Sequence, residues 1–367
     1  MSTRHRSFLV AGSTHRLYLP SLDGARGLAI LLVLLDHLSS AKIIPFHLRG
    51  IGLIGVCLFF SLSAFLLTAP FWLKDPESLV QSKTWSIYFW RRGLRIYPLY
   101  LVVLLTEHFA HIARTEFSWL SIRDHLLLRR GEGVFWTMEV ETKYYLVLPL
   151  LVLAFLVAWR RNAVAGLLCM IGLAGGLALL FRAEGKWWSL DGHVLRGYFW
   201  VFFLGSAAGS FFAFFISRPL RSRGMQWFCE AAAVAGFLIS FSGLPEIWGR
   251  LPLASAPSWW SSPIIPGVAW AVFLAAHLHG IGFVKYLLEW RPLRYLGLIS
   301  YSVYLWHKPV ITCLGFFIQT GRWRWVHDYW VLHFLAILGA VISWASLSFF
   351  LIERPFSTFK ARFTRSV

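Results

Sequence analysis

The sequence predicts an all-α, polytopic integral membrane helical bundle of about 10 transmembrane helices. Three observations carry that expectation. Of 367 residues, 57% are hydrophobic and 14% charged, and the mean hydropathy is +0.62. Soluble globular domains carry about 25% charged residues, so a water-exposed surface is not provided for. Apolar stretches of about 20 residues, enough to cross roughly 30 Å of hydrocarbon, recur along the chain. Finally, 35 Lys and Arg against 17 Asp and Glu give +18, and this charge is scattered between the apolar blocks. Gathered on one soluble face it would point to nucleic acid. Scattered as it is, it points to membrane topology, and no nucleic-acid partner is expected. Disorder is excluded because 17% of the residues are aromatic.

The elements follow in order. Residues 1–21 are basic (Arg4, Arg6, Arg16) and lack the apolar core of a cleavable signal, so they are expected to stay as a cytoplasmic segment. A transmembrane domain at 22–356 and a basic tail at 357–367 complete the expected organisation. The apolar stretches lie at about 25–43, 51–73, 96–113, 137–159, 163–181, 195–216, 226–243, 264–281, 294–318 and 329–351. The third and tenth contain His or Glu and are less clean. Ser118–Arg130 is expected as a short amphipathic or re-entrant piece, and Ile247–Pro263, rich in Pro, Ser and Trp, as an interfacial loop.

An even number of spans places both termini on one side. The termini and alternate loops on that side hold most of the basic residues, among them Arg91, Arg92, Arg95, Arg160, Arg161, Arg218, Arg221, Arg354 and Lys360. By the positive-inside rule that side is the cytoplasm. Trp72, Trp159, Trp187, Trp188 and Trp290 fall at span ends, as an aromatic belt would. Cys57, Cys169, Cys229 and Cys313 lie far apart in apolar stretches and read as buried small hydrophobes, with neither a disulfide framework nor a zinc site.

An ionisable group inside a span is costly, so each is a candidate for function. Arg26 and His37 are separated so that, at about 100° per residue, they share one helix face, with His37 about 16 Å further along the axis. Asp36 points about 100° away. A snorkelling Arg and a structurally bonded His are the plainer alternative. Arg92 and Arg95 lie three apart in the run Phe89–Pro98, and guanidinium forks suit phosphate; basic residues at a cytoplasmic helix end also need no ligand. Glu139 and Glu141 are two apart and cannot share a helix face, so one faces the bundle interior and the other pairs with Lys143 or water. Both could instead simply favour the helix entry. Tyr301, Tyr304 and His307 or Lys308 form a polar stripe within an apolar span, open also to ordinary interhelical bonding. Glu353-Arg354-Pro355 closes the last span, where Glu353 could pair a cytoplasmic Arg or end the helix.

Other features read as bland. Glu107 and His111 have i,i+4 spacing with His108 between them, but without H-E-x-x-H or a third ligand no metal is expected. Gly205-x-x-x-Gly209 reads as helix packing. No phosphate-cradling P-loop and no G-x-S-x-G elbow is present.

Together these segments resemble the membrane-bound acyltransferase 3 family, from Leu22 to Phe356. The carriers of the resemblance are Leu22 to Ile30 with an Arg-x10-His on Arg26 and His37, and the block Gly55 to Leu66, which holds Ser61 and Ser63. Arg-x-x-Arg follows on Arg92 and Arg95 with Ile96-Tyr97-Pro98, then Trp136 to Glu141, Ser300 to His307, and Glu353 to Pro355. Six motifs in order, at suitable spacing, make it specific. The chain departs from the pattern with Cys57 where Asp is common, Ala64 where Gly is common, and Thr142-Lys143 where Gln is common.

The resemblance implies a bacterial inner (plasma) membrane enzyme that moves an acyl group, most often acetyl, from acyl-CoA. The acceptor is a hydroxyl of a cell-surface glycan, a lipid-linked glycan or a related molecule. It implies no bound cofactor, with acyl-CoA as co-substrate. His37, Arg26 and Glu141 are then the expected catalytic set, and Arg92 and Arg95 the donor-binding pair. Ser61, Ser63, Tyr301, Tyr304 and His307 are the expected pocket lining. His37 serves either as general base or as a transiently acylated nucleophile. A non-enzymatic glycan or lipid transporter or flippase is the alternative, since polar stripes in an apolar bundle serve transport too.

Overall fold

The computed structural model describes residues 18–48, 50–73, 76–109, 119–127, 129, 131, 133–161, parts of 168–179, 195–215, 222–242, 244, 264–321 and 329–363. Among the described residues the regular structure is helical and no strand occurs. The helices are α1 (Pro20–Ser40), α2 (Ile51–Thr68), α3 (Pro76–Val80), α4 (Ser82–Phe109), α5 (Trp119–Leu126), α6 (Trp136–Arg161) and α7 (Leu195–Phe215). There follow α8 (Arg223–Phe241), α9 (Ile264–Ala276), α10 (Phe283–Leu288), α11 (Arg291–Leu298), α12 (Ser300–Thr320), α13 (Trp330–Ser348) and α14 (Arg354–Phe363).

Every expected apolar stretch contains a described helix except 163–181, most of which lies outside the described residues, as does the expected loop Ile247–Pro263. The expected short piece within Ser118–Arg130 is α5. Two boundaries differ from expectation. Helix α4 begins at Ser82, so Arg91, Arg92 and Arg95 sit on a continuous helix and not at a helix mouth. The stretch at 294–318 is broken at Ile299 into α11 and α12.

Among the described residues three helical stretches are long and apolar enough to cross a membrane: Ile51–Trp72, Arg223–Phe241 and Trp330–Thr358. Gly197–Ala213 and Ile264–Ala276 are apolar but shorter. The others carry polar interruptions, such as Asp23, Arg26 and Asp36 in α1. Those interruptions are the groups of chemical interest.

Helix α2 is the centre of the bundle. It packs on α7 along one side and on α1 along the other, and α9 touches it while bridging α7 to α8. Small residues set these distances. A Cβ at Gly205 would lie 2.4 Å from the Ser61 carbonyl oxygen, and one at Gly209 would lie 2.6 Å from that of Phe65. Real Cβ atoms essentially never come so near, so α2 and α7 touch backbone to backbone. Helix α1 is seated still more tightly. Its Gly24 and Gly27 would place a Cβ at 1.7 Å from the Leu288 oxygen and 1.9 Å from the Leu293 oxygen, while Gly297 would meet the Asp23 oxygen at 1.8 Å. The glycines of the Leu22–Gly27 block therefore form a seam against α10 and α11.

Several polar groups inside the bundle are paired, as an apolar environment favours. Asp36 accepts the Gly50 amide at 2.8 Å, where Gly50 has φ 89° and α2 begins. Glu230 of α8 accepts the amides of Gly282 at 3.0 Å and Val284 at 2.6 Å, capping the entry to α10. Ser21 bonds His277 at 3.2 Å, joining α1 to the residue that follows α9. Thr68 donates to Ser206 at 2.8 Å, and Tyr144 bonds the same hydroxyl.

Candidate functional site

Five helices enclose a cavity of about 300 Å³, at the small end of the range for ligand sites. Helix α1 supplies Asp23 and Arg26; α2 supplies Val56, Phe59, Phe60 and Ser63; α4 supplies Arg92, Arg95 and Ile96. Helix α6 adds Thr137, Met138, Glu141 and Tyr145, and α12 adds Ser300, Tyr301 and Tyr304. Tyr18 stands at its edge, accepting a bond from Arg294 at 3.0 Å. Three guanidinium groups thus meet two carboxylates around one space.

Arg26 contacts Asp23 at 3.4 Å, one turn earlier on α1. Arg95, Asp23, Arg92 and Glu141 are the charged groups that act on it. Arg92 lies with its guanidinium 5.8 Å from the centre of the Tyr145 ring, and its Nε is buried without a hydrogen-bond partner. Glu141 Oε1 accepts from Ser63 at 2.5 Å and from Tyr145 at 2.6 Å. Tyr145 is one helical turn beyond Glu141, so the second bond is local, whereas the first ties α6 to α2. Tyr88, below the apolar part of α4, donates to the Tyr145 carbonyl at 3.2 Å.

The two acidic residues left open by sequence separate cleanly. Glu139 pairs with Lys143 at 2.5 Å and accepts the Gly131 amide at 2.7 Å, so its role is to hold the start of α6. Glu141 lines the cavity. Tyr301 donates to the Ile96 carbonyl at 2.7 Å, tying α12 to α4. Glu353 sits at the end of a π-helical turn, Phe349–Glu353, and accepts from Ser302 at 3.4 Å; Arg95 and Arg26 are the basic groups that act on it.

His37 stands apart from the cavity lining. It lies on the same continuous helix as Arg26, about 16 Å along its axis. Its ring packs on that of His307 with centroids 4.7 Å apart. His307 is fully buried and in turn packs 5.7 Å from Tyr304, which does line the cavity. Glu141 makes its hydrogen bonds to Ser63 and Tyr145 and none to His37. Ser61 is directed elsewhere, donating to the Val201 carbonyl at 3.3 Å against α7. Of the residues expected at the site, Arg26, Arg92, Arg95, Glu141, Ser63, Tyr301 and Tyr304 therefore converge on one space. His37 and His307 form a second pair beyond it.

Asp23 and Tyr145 were not anticipated. Both stand three or four residues from a partner that was, Asp23 from Arg26 and Tyr145 from Glu141, and that helical spacing is the signal that could have found them. Among the described residues no group of three His, Cys, Asp or Glu side chains could hold a metal ion. His111 lies outside the described residues.

Comparison with known proteins supplies independent information. A family model described as "Acyltransferase domain" matches residues 19–352. The chain is 25% identical over 378 residues to the peptidoglycan O-acetyltransferase OatA of Listeria monocytogenes, covering 93% of this chain and 56% of that protein. It is 25% identical over 391 residues to the O-acetyltransferase OatA of Staphylococcus aureus, covering 95% of this chain and 61% of that protein. The chain thus spans a little over half the length of these curated relatives. No solved structure matches it.

Proposed function

Because the chain belongs to the acyltransferase-domain family that its residues 19–352 match, we propose that it is an integral membrane O-acyltransferase. It transfers an acetyl group from acetyl-CoA to a hydroxyl of a cell-envelope glycan. The acceptor is peptidoglycan or a lipid-linked glycan of similar chemistry, as the names of the relatives suggest. The bundle spans the bacterial inner membrane several times, with both termini in the cytoplasm and the basic end of the cavity facing it.

The observation that supports this reading best is the convergence of Arg26, Arg92 and Arg95 on one cavity whose far wall leads, through Tyr304 and His307, toward His37. CoA is an anionic cytoplasmic metabolite with a long, slender pantetheine arm. Arg92 and Arg95 hold its phosphates, where a guanidinium fork is well matched. The arm runs past Arg26 toward the level of His37. Glu141, held by Ser63 and Tyr145, adds negative charge near Arg26, which pairs with Asp23.

In the chemical step the acceptor oxygen attacks the thioester carbonyl. His37 takes the hydroxyl proton, the C–S bond breaks, and the proton passes to the departing CoA thiolate. Arg26, about 16 Å from His37 along α1, acts on the donor's arm and not on the reacting carbonyl. No metal or bound cofactor is required.

The test uses membranes containing the full chain, radiolabelled acetyl-CoA and peptidoglycan fragments. Label is expected to move to the fragments, and His37→Ala and Arg26→Ala at matched abundance are expected to lose at least about 100-fold in rate. Full activity in both variants overturns the site. Membranes that carry glycan across the bilayer without consuming the thioester overturn the enzyme reading in favour of transport.

A further inference from the structure

The role given to His37 leaves one question open: what fixes which of its two ring nitrogens is free to take a proton. We propose that His307 is the positioning residue that does so, a proposal that rests on His37 as the reacting imidazole.

The argument begins with the tautomer of His307. Its Nδ1 lies 2.6 Å from the Tyr304 carbonyl oxygen. A carbonyl only accepts, so Nδ1 carries the hydrogen, and in the neutral ring Nε2 is left with a lone pair. That Nε2 is buried and has no hydrogen-bond partner. A buried acceptor left unmade is costly, and native proteins rarely tolerate one without a use for it. The ring that bears it is fully buried and has its centre 4.7 Å from that of the His37 ring, the two planes tilted by 41°. His37 is only partly buried, so one side of its ring meets His307 while the rest remains reachable by an acceptor.

An N–H of His37 donated to His307 Nε2 completes both rings. It leaves the opposite nitrogen of His37 unprotonated. When that nitrogen takes the acceptor's proton, the imidazolium formed still has its other N–H bonded to His307, which stabilises it until the proton passes to the thiolate. The same arrangement presents a lone pair if His37 is instead transiently acylated. This is the task of the orienting partner in a nucleophile–base–orienter set, performed here by a neutral ring and not a carboxylate. The lower end of the relay is anchored as well, since the Tyr304 side chain lines the cavity and its carbonyl holds His307.

The experiment compares His307→Phe, which keeps the ring and removes the acceptor, with His307→Gln, whose amide oxygen can stand in for Nε2. Both are assayed in membranes with radiolabelled acetyl-CoA and peptidoglycan fragments, beside His37→Ala. The expected result is a fall in kcat of about 30-fold for His307→Phe with the KM for acetyl-CoA within about twofold, and recovery to within about fivefold in His307→Gln. Unchanged kcat in His307→Phe overturns the proposal. So does an equal loss in both variants accompanied by a lowered melting temperature, which is a packing role alone. The reading of His37 is tested separately. If His37→Ala is inactive while His307→Phe is fully active, only the positioning role falls; if His37→Ala is active, the assignment of His37 falls.

Discussion

Ser63 donates its hydroxyl to Glu141 Oε1 at 2.5 Å, and this bond links the central helix α2 to α6 across the cavity. Its geometry gives a serine and a carboxylate 78 residues apart one shared purpose. The carboxylate is held on one side by α2 and on the other by its own helix through Tyr145.

Glu141→Gln is expected to lower acetyl transfer by about 10- to 100-fold while leaving the protein folded, because a neutral amide no longer balances three guanidinium groups. Ser63→Ala and Tyr145→Phe each remove one hydrogen bond to the carboxylate, worth about 1.5–3 kcal/mol. Each is expected to lower the rate by about 10-fold. Rate and detergent-solubilised melting temperature measured together check the outcome, and loss of folding with unaltered specific activity contradicts it.

Arg92→Ala combined with Arg95→Ala is expected to raise the KM for acetyl-CoA by about 30-fold or more and to leave the KM for the glycan unchanged. The corresponding pair of Lys substitutions restores only part of this, since a point charge does not reproduce a bidentate fork. A titration of acetyl-CoA at saturating acceptor, repeated at low and high salt, distinguishes these cases. Equal donor dependence in all three proteins rules out donor docking at this pair.

Gly27→Ala and Gly297→Ala are expected to abolish stable folding. Their Cβ atoms would meet the backbone of Leu293 at 1.9 Å and of Asp23 at 1.8 Å, and a backbone atom cannot step aside as a side chain can. Gly339→Ala in α13, where no atom lies within 4 Å of the added carbon, is expected to be nearly neutral. Size-exclusion profiles and melting temperatures of the three variants decide the matter.

Glu230→Ala is expected to destabilise the protein by about 2–4 kcal/mol, because the Gly282 and Val284 amides lose a charged acceptor inside the bundle. Glu230→Gln retains one acceptor oxygen and is expected to lose about half as much. Thermal unfolding in detergent reads both. Activity at permissive temperature is expected to be unchanged, since Glu230 is not among the residues lining the cavity.

Sequence reasoning reached some residues and not others for identifiable reasons. Arg26 and Glu141 stand out because a charge in an apolar stretch is expensive, and Arg92 and Arg95 because two guanidinium groups three residues apart suit phosphate. Their meeting in one cavity requires α1, α4 and α6 to be neighbours, which no local pattern reports. The choice between Glu139 and Glu141 was undecidable from spacing, since a two-residue step only says that they face different ways. Lys143 settles it by taking Glu139. Ser61 and Ser63 are likewise two apart, and only the packing of α7 shows that Ser61 turns to the Val201 carbonyl. The first half of α4 carries Lys83, Arg91, Arg92 and Arg95, so apolar runs mark only its second half. In the sequence the glycines of the Leu22–Gly27 block are only part of a motif. Their physical task appears only once α10 and α11 lie against them.

That glycine seam has a mechanical consequence. Rows of side chains can slide past one another by changing rotamers, but two backbones in contact have nothing to rearrange. The seam therefore fastens α1, α10 and α11 into a single stiff member. Arg26 and His37 ride on that member at a fixed spacing. If turnover requires the protein to open alternately to its two aqueous sides, the displacement belongs to the helices around this strut. Arg92, Arg95 and Glu141 stand on α4 and α6, outside that member.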